Sequence, residues 1–442
     1  IDVAFKWPIK ETIRKCKRTF STAVELMNEY EDFYYAQSQP LLYKFVKENY
    51  PDLYQKIKEK VKEGSWELIG GMWVEPDTNL PSGESLVRQL LYGQKFYKEE
   101  FNIVPEVCWL PDTFGFSASL PQILKKSGIN YFATTKIRQN DTNTFPYNVM
   151  CWQGTDGSQV AAYQLSCKST GAITPESVKS AWDTLKEREL VERGHFIYGY
   201  GDGGGGATAD MLETMQAMKK IPVLPEMTSG KVADNLPVID NVYQSLPLWQ
   251  GEIYFERHRG VYTSQAILKK YNRQCEFLYR EVEIISAIAN IMGADINTSP
   301  LEEGWEKILT NQFHDILPGS CVREALYDAI DYYQQTIKIG KDIINQSYDF
   351  ILKNINNNEN ELVIFNLFTH QREDIATVEL SEDLADVVAV TDGDGKTIPV
   401  QCDGNNLYFT SLVPALGYQT YSLVKAQEGK LSEGINTNKK AV

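Results

Sequence analysis

Acids and two imidazoles sit at five places in this sequence where they could do chemistry. Trp109-Leu110-Pro111-Asp112-Thr113-Phe114-Gly115 sets a carboxylate at the end of an apolar run, walled by aromatic rings. A charge among Trp and Phe needs a cation, a hydrogen-bond network or a substrate to offset its desolvation. The competing reading is an Asp that caps a helix starting near Ser117. Ile1-Asp2-Val3-Ala4-Phe5 again puts an Asp beside an aromatic at a strand-like end. Residues 196–200 read as an apolar strand that leads into Gly201-Asp202 and then four glycines. Glycines let backbone approach a ligand closely, and no Lys-Ser or Lys-Thr follows, so a phosphate loop is excluded. Phe313-His314-Asp315, just before Pro318-Gly319, reads either as imidazole chemistry or as a helix-end histidine beside a Pro-Gly stop. Glu252, Glu256, His258, Arg259 and Tyr262 form a polar-aromatic cluster or, on the plainer reading, a surface salt-bridge loop.

These groups need elements to hold them. Residues 31–37 read as a strand, 39–62 as a helix, 66–73 as strand-like and 83–99 as a helix. A strand at 104–109, a helix at 120–127 and a strand at 130–134 continue the series. That rhythm predicts parallel strands with right-handed crossovers. Asp112 then lies at a strand's C-terminal end, where α/β proteins put their chemistry. Residues 264–295, 302–312 and 321–354 carry helical periodicity, which suggests a bundle of three helices. The Asn-rich stretch 354–361 is a polar breaker and reads as a linker. Alternating segments rich in Val, Thr and Tyr from 362 to 425 predict an antiparallel β domain, and 426–442 reads as a frayed tail.

Composition narrows the class. At 442 residues, 43% of them hydrophobic, the chain can bury more than one core and is not disordered. No run of 18 apolar residues occurs, so no membrane span is expected. No basic stretch followed by an apolar one marks a signal peptide. A net charge of −15 argues against nucleic acid and anionic membrane as partners. The seven cysteines are scattered, odd in number and form no C-x-x-C pair, which suits buried free thiols in a reducing cytoplasm. His195, His258, His314 and His370 are the only imidazoles.

Taken in order, the five blocks resemble family 38 of the glycoside hydrolases, the class II α-mannosidases, and above all its cytosolic and bacterial branch. The resemblance implies a (β/α)7 barrel over residues 1–258, a three-helix bundle over 259–354 and the start of a β-sandwich at 362–425. It implies hydrolysis of terminal α-linked mannose from glycans by a retaining, divalent-metal-assisted double displacement. Asp2, Asp112 and His314 match three of four metal ligands, which implies one Zn²⁺, or another divalent cation, per chain. The fourth ligand would be a His two positions before Asp2, upstream of Ile1. Further β domains of the family would follow the last residues, so the sequence is expected to be a piece truncated at both ends.

Asp112 also matches the nucleophile. Asp202 matches the acid/base, although only the first of two consecutive Asp residues in the family's other branch is present. The apolar stretch before Asp202 is expected to desolvate it. Asp315 matches an acceptor for sugar hydroxyls, and Lys136 a basic residue near the same subsite. Phe5 stands where the family usually carries Trp, and Trp73 is a second candidate for stacking on a sugar face. His258, Arg259 and Tyr262, with Glu252 and Glu256, are expected on the leaving-group side. The implied partners are mannose-containing oligosaccharides in the cytoplasm, with a homo-oligomer left open. Two rivals stand beside this reading. A metal-dependent carbohydrate deacetylase-like hydrolase would use a metal-bound water and not need Asp112 as nucleophile. A catalytically silent mannose-binding protein would need no nucleophile at all.

Overall fold

Short apolar strands alternating with amphipathic helices build the first part of the chain. In the computed structural model, residues 1–168, 170–355, 361–380 and 387–425 are described. The expected tail at 426–442 and most of the expected linker at 354–361 lie outside them. Two compact units emerge: residues 1–277 with 301–338, and residues 278–300 with those from 339 onward.

In the first unit, strand Tyr35–Gln37 pairs in parallel with Trp66–Leu68. The Gly70 N–H donates to the Val107 carbonyl at 3.0 Å and carries the run on to strand Val107–Trp109. That strand pairs in parallel with Tyr131–Thr134, which pairs in parallel with Gln159–Gln164. Here the expected parallel rhythm breaks. Val149–Gln153 and Gln159–Gln164 run antiparallel. The Asp156-Gly157 turn between them, with Gly157 at φ +86°, is a hairpin signal that outweighs the α/β pattern. Val149–Gln153 then pairs in parallel with Leu248–Gln250. The sheet is barrel-like, but its strands are not a strictly parallel series. Residues 196–200, an apolar stretch, form no strand and contribute only the bridges Gly171–Gly199 and Tyr200–Gly206.

Helix Ile9–Glu29 buries Ile9, Thr12, Cys16, Phe20, Ala23 and Met27, the spacing of one helical face. The helix expected over 39–62 is two, Pro40–Asn49 and Pro51–Glu63. Pro51 has no N–H to donate and disfavours helical geometry at Tyr50, so one helix stops there and the proline opens the next. Helix Gly83–Phe101 presses against the chain after Trp66–Leu68. A Cβ at Gly93 would lie 2.2 Å from the Gly71 carbonyl oxygen, so only glycine permits this approach. The core includes Leu110, Phe114, Phe116, Phe132, Trp152, Ile253 and Phe255. Asp112 therefore sits on backbone anchored in the core on both sides.

Three helices follow in succession, Ala266–Ile291, Pro300–Asn311 and Arg323–Asn354. The second unit carries an antiparallel sheet ordered Glu361–Asn366, Gly417–Lys425, Val387–Asp392, Thr397–Asp403, Asn406–Val413, Arg372–Glu379. Val390, Leu407, Phe409, Tyr421 and Leu423 form its core. All seven cysteines are free, five of them buried. Among the described residues, no helix is long and apolar enough to cross a membrane.

Candidate active site

His314 anchors the site. It follows helix Pro300–Asn311, and Phe313 forms a bridge with Pro76. Its ring is buried, and Nδ1 lies 2.9 Å from the Glu75 carbonyl oxygen. A carbonyl only accepts, so Nδ1 carries the proton and Nε2 presents its lone pair. Nε2 lies 3.8 Å from a carboxylate oxygen of Asp2 and 3.8 Å from one of Asp315. Among the described residues, Asp2, His314 and Asp315 are the group whose donor atoms all fall within 4.8 Å of one another. Two carboxylates and a correctly oriented imidazole, all buried, fit a divalent cation.

Electrostatics at this cluster favour bound protons. Burial raises the Asp2 carboxyl to about 7, with the nearby His314 opposing the shift. Burial by itself would lower His314, but Asp315, Asp2, Glu75 and Asp112 around it win, and its net shift is upward. The buried Glu75 carboxyl, accepting from Ser38 Oγ at 2.6 Å, is raised by burial too.

Asp112 lies outside that trio. Its charge is met by Lys136, whose Nζ donates to Oδ1 at 3.3 Å. Lys136 is buried and lies over the rings of Phe114 and Phe255, at 5.1 and 5.9 Å. Asp202 sits on the glycine loop at φ +46°, and its carbonyl accepts from the Asp2 N–H at 3.0 Å. Asp2, Asp112 and Asp202 line one cavity of about 270 Å³, together with Ser38, Glu75, Trp109 and the exposed Tyr200.

The sequence around these residues has known counterparts. Residues 1–252 match the glycosyl hydrolases family 38 N-terminal domain, and residues 256–351 match the alpha mannosidase middle domain. The chain belongs to glycosyl hydrolase family 38. Alpha-mannosidase G of Dictyostelium discoideum is 39% identical, covering 79% of this chain and 32% of its own. Alpha-mannosidase 2C1 of Mus musculus is 38% identical over 78% of this chain and 34% of its own. The alpha-mannosidase of Saccharomyces cerevisiae is 36% identical, over 79% and 34%. This family 38 chain thus spans about a third of the length of these relatives. The crystal structure of an alpha-mannosidase from Enterococcus faecalis shares the fold, with a TM-score of 0.78 at 17% identity over 98% of this chain and 56% of that one.

Several expected roles change within this family 38 site. The tight trio includes Asp315, which was expected only to accept from sugar hydroxyls, while Asp112 stands beside it with its carboxylate against Lys136. Trp73 is a core residue, 2% exposed, with its indole N–H donating to Thr310 Oγ1 at 3.2 Å and its ring against Phe96. It does not reach the cavity lining. Asp202 is exposed, so the expected desolvation is absent. The loop's glycines serve packing: a Cβ at Gly204 would lie 2.6 Å from Thr19 Oγ1. Glu256 is buried but accepts from the N–H groups of Asp141, Thr142 and Asn143, which hold its carboxyl below the usual range. A carboxylate so saturated organises a loop and cannot serve as a general acid.

The remaining predicted residues sit around this core. Phe5 is half-buried, and its carbonyl accepts from the Val322 N–H at 2.7 Å. His258 is exposed, with its ring 4.8 Å from that of Phe114, and burial followed by Lys136 lowers its pKa. Tyr262 is exposed and its OH accepts from Asn79 Nδ2 at 3.4 Å, while Arg259 and Glu252 are exposed. Glu75 and Lys269 were missed. Glu75-Pro76-Asp77, two acids at a strand exit, was a readable signal for the first. Lys269 donates to the Leu317 and Pro318 carbonyls at 2.8 and 2.9 Å, and burial lowers it to about 8. A helical lysine gives no such signal.

The upward shifts at Asp2 and His314 set a proton count. Asp2 folded keeps a proton up to about 7, whereas unfolded it releases it near 3.8. His314 likewise holds its proton beyond 6.5. The metal-free fold therefore loses stability as pH rises through this window. A cation must displace these protons, so its binding releases protons near neutrality and its affinity rises with pH. Calorimetry with Zn²⁺ in two buffers of different ionisation enthalpy should give a net release; no release at about pH 6.5 would contradict the assignment.

Proposed function

We propose that this chain is the catalytic region of a retaining α-mannosidase that removes terminal α-linked mannose from glycans in the cytoplasm. The observation that carries the reading is the gathering of Asp2, Asp112 and Asp202 on one cavity beside a buried His314 and Asp315, in a family 38 chain. Asp2, His314 and Asp315 would hold a divalent cation, with Zn²⁺ the best fit to oxygen and imidazole donors. When bound, that ion supplies positive charge that holds adjacent sugar hydroxyls and favours a distorted ring.

The chain's own residues carry the steps. A carboxylate oxygen of Asp112 attacks the anomeric carbon and forms an ester, while the Asp202 carboxyl gives its proton to the departing glycosidic oxygen. Asp202 then takes a proton from water, which attacks the same carbon and expels Asp112. Lys136 orients the Asp112 carboxylate through its 3.3 Å contact. The exposed position of Asp202 on the cavity wall supports a role at the side where the leaving group departs. Two displacements at one carbon restore the starting configuration. Proton NMR of a mannoside digest should therefore show α-mannose before mutarotation, and β-mannose first would exclude Asp112 as nucleophile.

A further inference from the structure

We propose that Thr19 and Arg18, on the helix Ile9–Glu29, are positioning residues for Asp202; this rests on the acid/base reading of Asp202 above. The glycine loop has little to fix it internally, because Asp202 and Gly204, Gly205 and Gly206 all sit at positive φ. An Asp in left-handed backbone holds its place only when surrounding contacts over-determine it. The side-chain contacts to the residues just after Asp202 come from the helix Ile9–Glu29. Thr19 is buried, and its Oγ1 accepts from the Gly205 N–H at 2.9 Å. Arg18 Nη2 donates to the Gly203 carbonyl at 2.7 Å. Gly204 packs so closely on Thr19 that no side chain fits between them. The Tyr200–Gly206 bridge, with N···O distances of 2.7 and 2.9 Å, closes the base of the loop. On the loop's other flank the Asp202 carbonyl is held by the Asp2 N–H. The helix therefore grips the residues immediately after Asp202, and the hydroxyl of Thr19 sets where its carboxyl can reach. Neither residue touches the reacting atoms.

The role predicts a selective defect. Proton donation matters when the leaving group is a poor one and matters little for an activated aryl group. In the intact protein, Thr19→Val should cut kcat/KM on a mannose disaccharide by about tenfold or more and change it less than about twofold on a dinitrophenyl mannoside. Thr19→Ser keeps the acceptor and should restore the disaccharide rate. Arg18→Met changes an exposed side chain, leaves folding intact and should shift the same ratio in the same direction. Equal losses on both substrates, or no rescue by serine, would overturn the positioning role. Asp202→Ala is run alongside. If it shows the leaving-group dependence and Thr19→Val and Arg18→Met do not, the positioning role alone fails. If Asp202→Ala shows none, the acid/base reading fails and the positioning role with it.

Discussion

Asp112→Ala should fold and bind substrate yet lose turnover by roughly four or more orders of magnitude, the scale seen when a nucleophile is removed from an assembled site. The backbone at this position is fixed by Leu110 and Phe114 in the core, so the architecture does not depend on the carboxylate. The local cost falls on Lys136, which is buried and would lose its ion partner, keeping only the rings of Phe114 and Phe255. That cost is about 1–3 kcal/mol. Asp112→Asn keeps a hydrogen-bond acceptor for Lys136 and separates the two effects: it should be nearly as inactive and closer to wild type in stability. Steady-state rates on an activated aryl mannoside check this. Activity of either variant within about a hundredfold of wild type would show that the attacking group lies elsewhere.

His314→Ala should strip the metal. The imidazole is the only nitrogen donor in the trio, and its Nδ1 contact with the Glu75 carbonyl fixes the direction of Nε2. Without it, two buried carboxylates face each other with no intervening donor. A change in the contacts behind a ligand alone typically costs 10–100-fold in affinity, so loss of the ligand itself should exceed about 100-fold. Elemental analysis after dialysis should fall from about one divalent ion per chain to below about a tenth. The variant should also lose roughly 2–4 kcal/mol of stability, since a buried ring is replaced by a cavity, although the Glu75 carbonyl keeps the backbone N–H of residue 314 at 3.2 Å. A full complement of metal in His314→Ala would place the cation on other residues.

The sequence made the chemistry more legible than its supports. Asp2, Asp112, Asp202 and His314 stood out because acids and imidazole at the ends of apolar runs, among aromatics or glycines, are costly without a purpose. Burial context was harder to read. Trp73 and Phe5 look alike in sequence, each an aromatic at a strand exit, yet Trp73 is buried against Phe96 of helix Gly83–Phe101 and donates to Thr310 of helix Pro300–Asn311. Glu256 resembles a catalytic acid until the three backbone N–H groups of residues 141–143 are seen converging on it. Those donors lie more than a hundred residues away, beyond any local pattern. The glycines of residues 203–206 pointed to a ligand, and in the fold Gly204 lies close against Thr19 of the helix Ile9–Glu29. The split at Pro51 and the hairpin at Asp156-Gly157 were both written in local residues. There the longer-range α/β rhythm misled, because turn chemistry decides a junction before periodicity does.

In the proposed reaction Asp112 becomes covalently bonded to the sugar. A fluorinated mannosyl fluoride forms the glycosyl ester quickly and releases it slowly, so the adduct survives proteolysis and mass spectrometry. One added fluoromannosyl group per chain is expected on the peptide containing Trp109-Leu110-Pro111-Asp112, with fragmentation assigning it to Asp112. An adduct on Asp202, on Glu75 or on any other carboxylate, or active enzyme that turns the reagent over without ever carrying an adduct, would contradict it.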